Sequence, residues 1–198
     1  GAVADEMLET MLVEAKKPDS CIDHLRKIYV NNGGDIAFWL NEGESFSIGV
    51  VDNPQIPELN AKVSLAHESQ VRGIATSGWR GRSLSLGIAD AVTVLAKSAA
   101  VADVAATLIA NEVNVDFTGI EKRPASEVKD DSDLGMIPVT VVVPDLAEDK
   151  IYIALEQGAK SARKFIKDGK ITAAYLSLQK QTLVIENDDK IERAIINN

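Results

Sequence analysis

Residues 91–96, Ala-Val-Thr-Val-Leu-Ala, lie only two polar residues, Lys97 and Ser98, ahead of an alanine-rich segment at 99–113. The β-branched run 91–95 reads as a strand. The segment after it reads as a helix, with Ser98 placed where an N-cap belongs. A strand feeding directly into a helix of small side chains calls for a helix laid closely on a sheet. Ala99 and Ala106 leave room for another segment, or a ligand, to approach that helix.

The rest of the chain supports the same architecture. Val3, Met7 and Met11 share one helical face and Ala4, Leu8 and Leu12 the next, until Lys16-Lys17-Pro18 stops the helix. Strands are expected at 27–31 and 36–40. Between them Asn32-Gly33-Gly34-Asp35 supplies the positive φ angles that a tight hairpin needs. Further strands are expected at 45–51 and 62–66, with a proline-containing loop at 52–58 between them. A strand at 138–143 leads through Pro144-Asp145 into a helix at 148–167, echoing the strand-then-helix order of 91–113. A closing hairpin falls at 171–178 and 182–186, followed by a polar tail from Asn187. The charged piece 121–133 reads as an excursion from the fold. The expectation is one α+β domain over residues 1–198, with a mostly antiparallel sheet and helices packed on it.

Composition narrows the function classes. A net charge of -9 argues against a nucleic-acid binder, although Arg72, Arg80 and Arg82 could still form a local basic patch. The single cysteine, Cys21, rules out an internal disulfide and any cysteine-rich metal site. No apolar run reaches the roughly 20 residues of a membrane span. His24 and His67 stand alone, and His67-Glu68 lacks the second histidine of a zinc-protease helix.

Asp103 is the only charge between Lys97 and Glu112, and Thr107 lies one turn away on the same face. A carboxylate buried in such a helix needs a cation, a metal or several donors, and oxygen ligands of this kind suit Mg²⁺. The plainer alternative is an aspartate that faces solvent or pairs with an arginine. Residues 75–83, Ala-Thr-Ser-Gly-Trp-Arg-Gly-Arg-Ser, read as a loop able to turn backbone amides toward an anion. Thr76, Ser77 and Gly78 would line it, and Arg80 and Arg82 could fork onto phosphate oxygens. An ordinary surface turn is the alternative there. Asn32, Gly33, Gly34 and Asp35 form a turn first, and any contact with a flat ring or ribose comes in addition. Together these groups suggest a nucleotide or flavin phosphate bound with a divalent ion.

Taken in order, NNGGDI at 31–36, ATSG at 75–78 and the VTV strand followed by ADVAAT at 102–107 resemble the ApbE superfamily of Mg²⁺-dependent FAD:protein FMN transferases. The longer runs GIATSGWRGRSLSLGIADAVTVLA and ADVAATLIANEVNV, with DSDLG at 131–135, are closer to its smaller, functionally uncharacterised branch. The resemblance covers nearly the whole chain and implies that an N-terminal portion of the family domain is missing here. It puts Asp103 and Thr107 at a Mg²⁺ site, and residues 32–35 and 76–78 along FAD or FMN. The transferases carry a His-x-x-Asp-Pro segment between ATSG and the VTV strand. Residues 83–90 occupy that interval with no histidine and no proline.

Two readings follow. The first is a cytoplasmic protein that binds a small-molecule flavin or nucleotide with Mg²⁺, its transferase activity left open. The second is a non-catalytic protein that binds a small anionic metabolite or serves in an assembly, with a homo-oligomer as a further form.

Overall fold

The computed structural model describes residues 1–17, 25–53, 55–56, 58–81, 83–186 and 195–197. Cys21, His24, Arg82 and most of the polar tail fall outside that set. In chain order the elements are α1 (Ala2–Ala15), β1 (Lys27–Asn32), β2 (Asp35–Leu40), β3 (Ser45–Val50), β4 (Ala61–Ala66), β5 (Gly73–Ser77), β6 (Ala91–Ala96) and α2 (Ala99–Glu112). They continue with β7 (Glu121–Pro124), α3 (Ala125–Val128), β8 (Pro138–Val142), α4 (Glu148–Lys167), β9 (Ile171–Leu178), β10 (Gln181–Glu186) and β11 (Ile195–Asn197).

Six strands form an antiparallel sheet in the order β1-β2-β5-β6-β9-β10. Successive side chains along a strand face opposite ways, so each strand feeds two cores. On one face Ala75, Val92, Val94, Ala174 and Leu176 pack with Ala102, Ala106 and Ile109 of α2 and with Ile151, Leu155 and Ala159 of α4. On the other, Phe38, Leu40, Ile74, Leu95 and Tyr175 pack with Val50, Val63 and Leu65. Val50, Val63 and Leu65 belong to a three-stranded layer, β11-β4-β3. Sheets and helices are thus segregated on an antiparallel frame, and the fold is α+β.

Local chemistry accounts for the firmest boundaries. Gly33 and Gly34, at φ 70° and 114°, make the two-residue turn between β1 and β2, and Asn31 Oδ1 accepts from Gly34 N at 2.9 Å. Ser98 caps α2, its hydroxyl accepting from Val101 N at 3.3 Å. α4 begins with Glu148 and Asp149 and ends with Lys164 and Lys167, each pair complementing the helix dipole.

Five expectations change. Only one of the two apolar faces of α1 is covered: Ala4 and Leu8 are buried against Val30, Ala37 and Ala99, whereas Val3, Met7 and Met11 are exposed. Residues 75–77, read as loop, are the second half of strand β5. Hydroxyls and glycine weaken a local strand signal, but β2 and β6 on either side supply its hydrogen bonds. Residues 121–133 contain β7 and α3 instead of an excursion, because β8 pairs with β7. The strand-then-helix order does recur, as β6–α2 and β8–α4, but not as a structural repeat, since β6 sits in the six-stranded sheet while β8 joins only β7. No strand is expected in the polar tail from Asn187, yet Ile195–Asn197 pairs with β4.

Candidate functional site

α2 lies along β5 with almost no gap. A Cβ on Gly73 would come within 2.0 Å of the Ser98 carbonyl carbon, and one on Gly87 within 2.0 Å of Ala110 O. Residues 87–90 adjoin the far end of β5, where Trp79 N donates to Ala89 O at 3.0 Å. α2 therefore runs in the direction of β5. Four helical residues rise about 6 Å and two strand residues about 6.6 Å. That match carries Asp103 toward Ala75 and Thr107 toward Ser77. Continuing the β2–β5 register beyond Ile36↔Ile74 puts Asp35 beside Ala75 as well.

The carboxylates of Asp35 and Asp103 converge there. Each Oδ2 lies 2.7 Å from the Gly1 amino nitrogen, so the two oxygens are at most twice that distance apart. Asp35 is 24% exposed and Asp103 42%. Asp103 is therefore half open rather than a buried carboxylate, and it is paired with nitrogen rather than with an arginine. The α1–α2 junction is tied a second time. Asp5 accepts from Ala99 N and Ala100 N, at 2.9 and 2.8 Å, across 94 residues of sequence.

The ATSG residues divide between layers. Ser77 shares the α2 face of the sheet with Ala75. Thr76 projects the other way, its hydroxyl 2.8 Å from that of Thr93. Gly78 is needed where residues 89–90 cross, since a Cβ there would sit 2.4 Å from Asp90 O.

Arg80 is already engaged. Its Nε donates to Asp90 Oδ1 at 2.6 Å, and its guanidinium stacks 4.5 Å from the centre of the Trp79 ring. Asp90 also accepts from Trp79 Nε1 and from Gln179 N, and so knots the loop after β5 to the end of β9. Arg72, at the opposite end of β5, donates to the carbonyls of His67, Ser69 and Val71. Arg72 and Arg80 thus do not form one patch. Arg82 lies outside the described residues.

Besides Asp5, two carboxylates escaped the sequence reading. One is Asp90. The other is Asp52, whose Oδ2 accepts from Tyr175 Oη at 3.0 Å and Ser177 Oγ at 2.6 Å, while its Oδ1 is buried without a partner among the described residues. Burial, with repulsion from Asp90, raises the Asp52 pKa against the pull of the two hydroxyls. Burial and the Asp52 charge push the Tyr175 hydroxyl upward too. Asp52 belongs to the seam between the two sheets, on the face away from Asp103. An aspartate in a proline-bearing loop carries no local sign of this.

Among the described residues no group of three or more His, Cys, Asp or Glu side chains is placed to hold a metal, and no helix is long and apolar enough to cross a membrane.

A family model described as AbpE bacteria matches residues 1–195. The chain is 34% identical over 116 residues to a UPF0280 protein of Methanopyrus kandleri, covering 59% of this chain and 47% of that one. It is 43% identical over 84 residues to a UPF0280 protein of Methanobrevibacter smithii, covering 42% and 34%. With a UPF0280 protein of Methanosarcina acetivorans it shares 36% over 93 residues, covering 46% and 36%. The chain thus spans less than half the length of these relatives, and none of their names states an activity. On the extent of the family match, the chain belongs to the AbpE bacteria family, a description consistent with the ApbE resemblance of its motifs.

Proposed function

We propose that this protein binds a flavin or nucleotide phosphate together with Mg²⁺ at the shoulder where α2 meets β2 and β5. The observation that carries this reading is the approach of the Asp35 and Asp103 carboxylates to each other beside Ala75, a point where negative potential gathers and a cation belongs. The donors fit Mg²⁺: two carboxylates, with the Thr107 and Ser77 hydroxyls toward the same side, form a hard oxygen set that water and phosphate would complete. Asp103, Asp35 and Thr107 would hold the ion. When bound, Mg²⁺ supplies charge stabilisation at a pyrophosphate.

The hairpin at 32–35 borders this shoulder, and its glycines leave a flat ring free to approach the backbone. Ser77 lies on the same side. Thr76, turned into the opposite layer, would meet the ligand only through its backbone. Calorimetry of the intact protein with Mg²⁺ and FAD, FMN or ADP tests the reading. Metal-dependent binding that Asp103→Asn weakens supports it, and no binding of any of the three overturns it.

Transfer of a flavin to protein is the finer version, decided by mass spectrometry of a candidate acceptor peptide after incubation with FAD and Mg²⁺. The absence of histidine at 83–90 favours a second reading, a non-catalytic binder of a small anionic metabolite. In that case binding persists without any flavinylated product.

A further inference from the structure

Beyond the C-terminus of α2 the chain opens a groove of about 440 Å³, lined by Asn114, Val115, Asp116, Phe117, Ile120 and Lys122. It lies past the far end of α2 from the Asp35–Asp103 pair, and its volume falls in the range of small-ligand sites. The packing that builds it is specific. Asn111 Oδ1 accepts from Leu86 N at 2.9 Å, and Thr140 N donates to Ser85 O at 2.8 Å. The segment 85–87 is thereby clamped between α2 and the β7–β8 ribbon. Val115, Phe117 and Ile120 rest on the main core and give the groove an apolar floor.

Lys122 is the one cation in this lining. Its ammonium donates to Leu86 O at 2.6 Å, which leaves two of its three protons free of that bond. No carboxylate among the described residues forms an ion pair with it. Partial burial lowers its pKa, although the side chain as a whole remains exposed. Directly across the ribbon stands Thr140, paired in register with Lys122 and so turned to the same side. Thr140 is 4% exposed and lies beneath the ribbon without lining the groove, its hydroxyl lacking a partner among the described residues. A cation at the rim and an apolar floor call for an occupant with one anionic end and an apolar body. Asp116, also in the lining, disfavours a second negative charge.

We propose that this groove is a binding site for a small organic carboxylate, a monoanion whose charged end meets Lys122 and whose apolar body lies on Val115, Phe117 and Ile120. The site is independent of the proposed Mg²⁺ shoulder. The probe is 4-fluorobenzoate, followed by fluorine NMR on the intact protein, with its neutral amide as control. 4-Fluorobenzoate should bind about tenfold more tightly than 4-fluorobenzamide, in keeping with one charge-assisted hydrogen bond. Lys122→Met should abolish that difference, Lys122→Arg should restore it, and Phe117→Ala should weaken both probes. Asp103→Asn should change nothing here, so failure at the metal shoulder and failure at this groove are distinguishable. Equal affinity for acid and amide, 4-fluorobenzoate binding indifferent to Lys122→Met, or no binding up to the solubility of the probe each overturns the proposal.

Discussion

The hydroxyl of Tyr175 reaches across the seam between the two sheets to Asp52 Oδ2 at 3.0 Å, joining a β9 residue to the loop that leaves β3. Tyr175 and Ser177 are both buried, at 0% and 1% exposure, so neither hydroxyl has water to turn to if Asp52 is removed. Asp52→Ala should therefore cost about 3 kcal/mol, the desolvation of two stranded donors, read from urea unfolding. A loss below about 0.5 kcal/mol would show that the seam relaxes without it.

The same carboxylate sets a pH dependence. Burial, with help from Asp90, raises Asp52 above its ordinary value of 3.8. The folded state then holds a proton that the unfolded chain has already released. Stability from this group is complete below that ordinary value and declines as pH rises through the folded pKa. Asp52→Asn cannot ionise. Unfolding free energy measured between pH 4 and 7 should fall less steeply with pH in that variant than in the parent. An unchanged slope sinks the assignment.

Asp5 caps a helix to which it is not contiguous. Asp5→Ala removes acceptors from Ala99 N and Ala100 N and an acid from the positive end of α2. The expected loss is about 1–2 kcal/mol, in line with other N-cap deletions. Hydrogen exchange should show earlier opening of the first turn of α2. Exchange unchanged in that turn would place the stabilisation elsewhere.

Gly73→Ala tests the contact that seats α2. The new methyl meets the Ser98 and Ala99 backbone at 2.0–2.3 Å, where no flexible side chain can yield. Overpacking of this kind costs about 3 kcal/mol and should displace Asp103 with the helix. Both lower thermal stability and weaker Mg²⁺ binding are expected. A variant as stable as the parent would mean that α2 can lift from the sheet freely.

At the proposed metal shoulder, Asp35→Asn and Asp103→Asn should each weaken Mg²⁺-dependent ligand binding by about tenfold or more, with the double variant near background. Melting temperatures should stay close to the parent's, because both side chains are partly exposed. Arg80→Gln gives the contrast: its partner is Asp90, so stability should drop by about 1–2 kcal/mol while Mg²⁺ affinity holds. A reversal of these two patterns would move the ligand from the shoulder to the Trp79–Arg80 loop.

Much of this protein could be read from local chemistry. Two adjacent glycines specify the turn between β1 and β2, because few other residues take positive φ twice in succession. The acid-first, base-last helix at 148–167 and the β-branched strand before α2 follow from near-neighbour preferences that hold in any setting. Asp103 and Thr107 stood out because an aliphatic helix makes a lone acid conspicuous. What only the tertiary structure decided is which groups meet. Ala-Thr-Ser became strand β5 because β2 and β6 hydrogen-bond to it, and pleating then sent Thr76 and Ser77 into different layers. Asp52, Asp90 and Asp5 drew their roles from partners 123, 89 and 94 positions away. No periodicity of 2 or 3.6 residues spans such separations, so those contacts exist only once the layers have closed.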